Sequence, residues 1–394
     1  MKTILLMIGL LGLLAIEILH IYFIMPFPGS QHNNTIGFAY WLNNNIWLIR
    51  MITWLVLIYP VIRIFRYSSG WKKIFLSVGL LLYAVIFYFF NFRFKADKMF
   101  YQPVHSNFAT AATNKIKDSK LIIGVVVNGE AKAYPVQLIG YHHQVRDTIG
   151  NTPVMVTYCT VCRTGRVFSP VINGSNESFR LVGMDHFNAM FEDRSTKSWW
   201  QQATGVAVAG PLKGASLQEL PSAQSTLAVW LRQYPGSLIL QPDSSFAKQY
   251  KELADFDNGT IKSSLEKRDS ASWKFKSWVI GVVHNNASKA YDWNKLVSTG
   301  VIQDSLPGLP IVMVLEKDSA SFHVWDRQVN GNDLQFIHDN ITGELRDINS
   351  KSIWNMNGQC VEGPLAGAQL KRVPAYQEFW HSWRTFHPGT MMYK

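Results

Sequence analysis

No glycine-rich phosphate loop accompanies any strand-like run in this chain, so nothing in it points to a nucleotide cofactor. Cysteine is scarce, with three among 394 residues, and only Cys159 and Cys162 are spaced to act together. Charge is also sparse, at 16% Asp, Glu, Lys and Arg, and large parts of the first 95 residues have almost none. Nine Lys or Arg against Glu17 and Asp97 place +7 of the formal +11 in residues 1–100. The basic balance therefore belongs to the N-terminal segment and makes no case for nucleic acid. No feature names a protein partner.

The N-terminal segment instead holds three apolar runs, at 4–24, 51–64 and 74–92. Spanning a hydrocarbon core about 30 Å thick takes roughly 20 apolar residues. The second run is long enough if it begins near Ile46 and accommodates Arg50 and Pro60. The pattern predicts an integral membrane anchor over 1–95 with helices at about 4–24, 46–64 and 74–92. Residues 63–73 carry Arg63, Arg66, Lys72 and Lys73, whereas 26–45 has no Lys or Arg. Because basic residues near helix ends stay in the cytoplasm, the expectation is an inner (cytoplasmic) membrane protein with a periplasmic C-terminal portion. Arg93, Lys95 and Lys98 run against that bias. Ile-Met-Pro-Phe-Pro after the first run lacks a small-x-small cleavage site, which favours a retained helix over a signal peptide. Glu17 and His20 lie near the end of that helix, within reach of headgroups.

Beyond the anchor, self-similarity is the strongest feature of the sequence. Residues 124–134 read Gly-Val-Val-Val-Asn-Gly-Glu-Ala-Lys-Ala-Tyr, and 281–291 read Gly-Val-Val-His-Asn-Asn-Ala-Ser-Lys-Ala-Tyr, an offset of 157. At the same offset Phe168 meets Trp325 and Asn173-Gly174 meets Asn330-Gly331. After two short deletions Asp193, Lys197 and Trp200 fall on Asp347, Lys351 and Trp354, and Trp230 falls on Trp383. Short β-branched or aromatic runs alternate with Asn-Gly turns, the signature of hairpins. The fold class expected is α+β, mainly antiparallel β: two diverged copies of one β-rich module behind the three-helix transmembrane region. The copies are placed at 115–241 and 273–394, with a Ser-, Lys- and Asp-rich linker at 242–272.

A duplication acts as an internal control, since residues held in both copies serve the fold and residues in one copy are free to serve function. Copy one has Cys159-Thr-Val-Cys162 where copy two has Glu316-Lys-Asp-Ser319. It also has Tyr141-His142-His143 where copy two has Ser298-Thr-Gly300, and Met184, His186 and Met190 where copy two is shortened. Cys-x-x-Cys lets two sulfurs meet on one metal ion or close a small disulfide ring. Two Cys do not complete a tetrahedral shell, so a metal needs His142, His143 or His186. Zinc suits a set of thiols and imidazoles with an open position, and copper(I) a shell that adds Met184 or Met190. Arg163 stands where a c-type haem motif needs histidine. The redox reading has Arg163 lowering the pKa of Cys162. His105, His284, His323, His338, His381 and His387 read as structural or surface residues. Cys360 and Trp199, Trp200, Trp230 and Trp383 read as core, and Asp193 and Lys197 as turn or salt-bridge residues.

The Gly-Val-Val-Val-Asn-Gly-Glu-Ala-Lys-Ala-Tyr-Pro run, Tyr-His-His-x-Val-x-Asp at 141–147, and Pro-Val-Met-Val-Thr-Tyr-Cys-x-x-Cys-x-Thr-Gly at 153–165 together resemble a bacterial family. It is the one catalogued as domain of unknown function 3179, and the resemblance covers about 115–394. That family typically has Cys-Pro-Leu-Cys-Gly-Thr-Ala where this chain has Cys-Thr-Val-Cys-Arg-Thr-Gly, and a single His followed by Glu, so His143 departs from its pattern. No activity comes with it. The resemblance implies that Cys159, Cys162 and His142 belong to a shared motif and that the membrane helices are an addition. The leading expectation is a membrane-tethered metal-binding protein, zinc or copper, with Cys159, Cys162, His142 and His186 as ligands. A thiol–disulfide oxidoreductase or disulfide-stabilised module is the first alternative, and a non-catalytic interaction module the second.

Overall fold

The computed structural model describes residues 2–103, 106–339 and 342–393; His105, expected to be structural, lies outside them. Three helices come first, α1 (Lys2–Tyr22), α2 (Ile36–Tyr67) and α3 (Gly70–Tyr88), the last continued by a π-helical turn at Phe89–Arg93. Two helices, α2 and the continuous Gly70–Arg93, are long and apolar enough to cross a membrane, while the apolar part of α1, Leu6–Tyr22, is shorter.

Beyond the helices the chain is α+β with many antiparallel sheets. In order come β1 (Leu121–Val127), β2 (Glu130–Pro135), α4 (Val136–His142), β3 (Gln144–Ile149), β4 (Thr152–Cys159) and β5 (Thr164–Phe168). Next are β6 (Phe179–Asp185), β7 (Asn188–Asp193), β8 (Trp199–Gln201), β9 (Ala207–Ala209), β10 (Ser222–Thr226) and α5 (Leu227–Gln233). A similar series runs β11 (Trp278–His284), β12 (Ala287–Asp292), α6 (Trp293–Thr299), β13 (Val301–Leu306), β14 (Leu309–Leu315) and β15 (Phe322–Asp326), closing with β16 (Ala375–Phe379) and α7 (Trp380–Phe386). The Asn128-Gly129 turn between β1 and β2 holds both residues at positive φ, as a two-residue hairpin of the mirror type requires.

The chain divides into two compact units. The first comprises Met1–Tyr101, Glu177–Gln201 and Val206–Ser216. Its sheet, in the order β9-β8-β7-β6, is tied to the segment after α1. Met184 N donates to Ile24 O at 2.7 Å, and Phe187 N donates to Gln31 Oε1 at 3.1 Å. Gly183 allows this approach, because a Cβ there would sit 2.1 Å from Ile24 O. Among the helices, Glu17 is fully buried. Arg50 on α2 donates to it from Nε at 2.7 Å and Nη2 at 2.5 Å, Asn91 Nδ2 at 2.8 Å, and Tyr83 Oη on α3 at 3.2 Å. Each carboxylate oxygen thus has two donors, which offsets the cost of burying the group among apolar helices.

The second unit comprises Gln102–Asn176, Gln202–Gly205 and Leu217–Lys394. It contains a sheet in which Phe108–Ala109, Leu238–Leu240, β2, β1 and β10 lie in that order, beside a β3-β4-β5 sheet. Two further sheets have a comparable order, β16-β11-β12 with Met391–Met392, and β13-β14-β15 with Lys371–Arg372. In each series one short strand joins in parallel, Leu238–Leu240 on β2 and Met391–Met392 on β12. Gly124 lies flat under Trp230, and Gly281 under Trp383, so that a Cβ at either would come within 2.3 Å of the indole. The expected linker contains a short helix, Ala247–Glu252, and buries Phe246, Tyr250 and Phe256.

Candidate functional site

Strand β4 ends at Cys159 and β5 begins at Thr164, so Thr160, Val161, Cys162 and Arg163 form the turn, closed by Arg163 at φ 55. Both cysteines are thiols with 0% exposure and a hydrogen bond joins them. The second series of elements grips this turn. Phe379 N donates to Cys162 O at 3.0 Å, and Lys276 Nζ to Val161 O at 2.5 Å. His381 Nε2 lies 3.2 Å from Val161 O and 3.1 Å from Lys276 Nζ, while the Thr164 and Ser382 hydroxyls are 3.1 Å apart.

Two buried arginines, one closing the turn and one on the strand after it, tie it down. Arg163 donates from Nε to Gln377 Oε1 at 2.9 Å and from Nη1 and Nη2 to the carbonyls of Phe256 and Asp257, with its guanidinium 3.8 Å from the Trp278 ring centroid. Arg166 donates to Glu378 Oε1 at 2.5 Å, and Glu378 Oε2 accepts from Ser382 at 3.0 Å. The cation expected to act on Cys162 is Arg163, but its guanidinium is engaged in these contacts, and Lys276 takes that part. Burial pushes the Cys162 thiol well above its ordinary range, its neighbour Cys159 adds to this, and the Lys276 ammonium only partly opposes it. Burial and the Lys276 charge lower His381 to about 3, so its imidazole is neutral. The geometry holds a neutral dithiol inside the protein, with a cation and an imidazole at the backbone of its turn.

The other candidate residues sit elsewhere. His142 ends α4 in an aromatic box of Tyr141, Phe246 and Tyr250, with Nε2 2.6 Å from Tyr250 Oη. His143 caps the same helix at φ 61, a left-handed position that glycine fills at Gly300 after α6. His186 lies in the first unit, at the β6–β7 turn, where it and Phe187 both have positive φ. Its Nδ1 meets Asp185 Oδ1 at 2.6 Å, which raises its pKa, and Gln201 fixes the other Asp185 oxygen. Met184 and Met190 are buried in the same hairpin. Among the described residues, no three His, Cys, Asp or Glu side chains converge to hold a metal ion.

Asp193 accepts from the backbone of Thr196 and Ser198 and from Trp200 Nε1, a turn-holding arrangement. Cys360 is buried, as expected.

Lys276, Glu378, His381 and Ser382 are absent from the set of site residues that the sequence predicts. A signal for three of them exists: at the offset of 153 that brings Trp230 onto Trp383, Glu378, His381 and Ser382 fall on Ser225, Ala228 and Val229. They are as particular to the second segment as the cysteine pair is to the first.

A family described as a protein of unknown function (DUF3179) matches residues 102–390. No curated protein and no solved structure matches the chain.

Proposed function

The chain belongs to the DUF3179 family of proteins of unknown function, and from that premise we propose a membrane-tethered envelope protein in which Cys159 and Cys162 form a redox-closable clasp. The clasp lies at the joint between two diverged copies of one module. The observation that carries this reading is the complete burial of both sulfurs in a turn bonded to Lys276 and Phe379 of the second copy.

An oxidoreductase that exchanges disulfides with clients needs a reachable thiolate, and burial here disfavours both access and ionisation. Two thiols already in contact across a tight turn can instead close a disulfide. This happens during folding, before the second copy covers the turn, when the still-accessible thiols lose two protons and two electrons to a disulfide-bearing oxidant, which departs as two thiols. A zinc or copper centre is the competing reading. With His142 engaged by Tyr250 and no trio of donors among the described residues, the side chains do not fit a tetrahedral shell.

The two-copy reading is supported by the recurring order of elements and by the twin glycine–tryptophan contacts. The three-helix anchor is supported by the Glu17 cluster, which joins α1 to the two longer helices, and by outward-facing Ile8, Leu11, Leu55, Ile58, Ile74 and Leu81. Periplasmic placement of residues beyond the anchor rests on the basic 63–73 loop, and that compartment favours disulfides.

The test is mass spectrometry of the full chain, extracted from membranes without reductant and alkylated under denaturing conditions before and after reduction. A Cys159–Cys162 disulfide with Cys360 always alkylated is expected. Alkylation of all the cysteines before reduction counts against the clasp. So does stoichiometric zinc or copper that disappears in a Cys159→Ser/Cys162→Ser variant.

A further inference from the structure

The joint between the two series has two halves, and they differ. In one half, the slot beside the Cys159–Arg163 turn is filled by His381 and Lys276, which reach Val161 O. In the other half, Glu316 occupies the position of Cys159 at the offset of 157, and Ala228 that of His381 at the offset of 153. The methyl group of Ala228 leaves that slot open, and a cavity of about 580 Å³ is found there. It is lined by Ala228, Val229 and Arg232 of α5, the Leu315–Asp318 stretch, Glu344, and Asn355 to Asn357. The volume is in the range of roughly 300–1,000 Å³ typical of small-molecule sites.

We infer that this cavity binds a small, uncharged, polyhydroxylated molecule of mono- or disaccharide size. Its charges nearly cancel, Arg232 and Lys317 against Glu316, Asp318 and Glu344, so a strongly charged ligand would gain little. Arg232 Nη2 donates to Glu316 Oε1 at 2.5 Å, and the same oxygen meets His323 Nε2 at 2.9 Å. Asp318 accepts from the backbone of Ala320 and Ser321 and from the hydroxyls of Ser321 and Thr226. Lys317 and Glu344, of opposite sign, line it as well, beside the His338 imidazole.

Donors and acceptors are left for a ligand. Arg232 is half-exposed, and among the described residues its guanidinium has Glu316 as its one partner. Asn355 uses Oδ1 for the backbone of Asn357 and Gln359, while its NH₂ has no partner among the described residues. The same holds for the Glu344 carboxylate. Amides, a guanidinium and a carboxylate complement hydroxyls, which both donate and accept. Val229, Leu315 and Met356 supply apolar wall for the C–H faces of a sugar ring.

The test is calorimetric titration of the detergent-solubilised full chain with maltose, cellobiose and N,N′-diacetylchitobiose, and with glycine and glutamate as zwitterionic and anionic arms. Ala228→His closes the slot as its counterpart is closed, and Glu344→Gln removes a lining charge while keeping the side chain's shape, with thermal unfolding checking that each variant is folded. Saturable binding of at least one saccharide, weakened about tenfold or more by either variant, is the expected result. Three results overturn the inference: no saccharide binding at about 10 mM, binding of the amino acids alone, or saccharide affinity within about twofold of wild type in both variants. Cysteine oxidation state does not enter these readings, so the outcome is independent of the clasp.

Discussion

Replacing Glu17 by leucine is expected to cost the helix bundle about 3–5 kcal/mol, the range for removing one partner of a buried ion pair. The structure shows where that cost falls. Asn91 keeps the Phe87 carbonyl at 2.9 Å and still receives Arg50 Nη2 at 2.8 Å, so it is largely compensated. The Tyr83 hydroxyl loses its acceptor, a contribution of about 1 kcal/mol. The remainder is the Arg50 guanidinium, mostly buried against Phe87 and left without its counter-charge. Removing both charges with Glu17→Leu/Arg50→Leu should restore stability to within about 1 kcal/mol of wild type, since apolar replacements of whole pairs are often neutral. Unfolding in mixed micelles of increasing SDS fraction measures all three. A single variant that loses less than about 1 kcal/mol, or a double variant that loses more than the single, refutes the reasoning.

In the second unit, Gly124→Ala and Gly281→Ala each force a methyl group onto a tryptophan ring and should lower stability by about 1–3 kcal/mol in denaturant unfolding. Equal, negligible effects would disprove the tight contact. His381 is held neutral with a folded pKa near 3 against 6.5 unfolded. Its depressed pKa contributes stability that is full above pH 6.5 and is lost as pH falls toward 3. The thermal midpoint should therefore fall across that window, and His381→Gln should flatten the fall. An unchanged slope in the variant would show that His381 is not buried neutral. For Cys162 the shift is upward, so its contribution is present at neutral pH and lost in alkali. Cys162→Ser should accordingly reduce alkaline destabilisation.

Much of the strand pattern can be read from local chemistry. Asn128-Gly129 and Asn173-Gly174 announce their turns because few other residues accept positive φ. Helix α4 escapes such a reading: seven residues entered through Pro135 carry too little periodicity to stand out from the flanking strands. The burial of Glu17 depends on which faces of three helices meet, and no single helix encodes that phase. The cysteine turn is legible as a motif, yet its surroundings are not. Lys276 and His381 reach Val161 across 115 and 220 residues of sequence, a separation at which local pattern is silent. Comparing the two similar segments for features unique to the first singles out the cysteines, whereas their surroundings also use Glu378, His381 and Ser382, which are unique to the second.

That joint is tested most directly by native-state thiol reactivity. The reduced full chain, held folded in detergent, is treated with iodoacetamide, and modification of Cys159 and Cys162 is tracked by peptide mass spectrometry against Cys360 and the denatured chain. Both thiols should resist modification by orders of magnitude relative to the denatured chain, and His381→Gly or Lys276→Ala should speed their reaction at least about tenfold by opening the cover. If Cys159 and Cys162 of the folded wild type react at the denatured rate, Lys276, Phe379 and His381 do not close over them, and the clasp is contradicted.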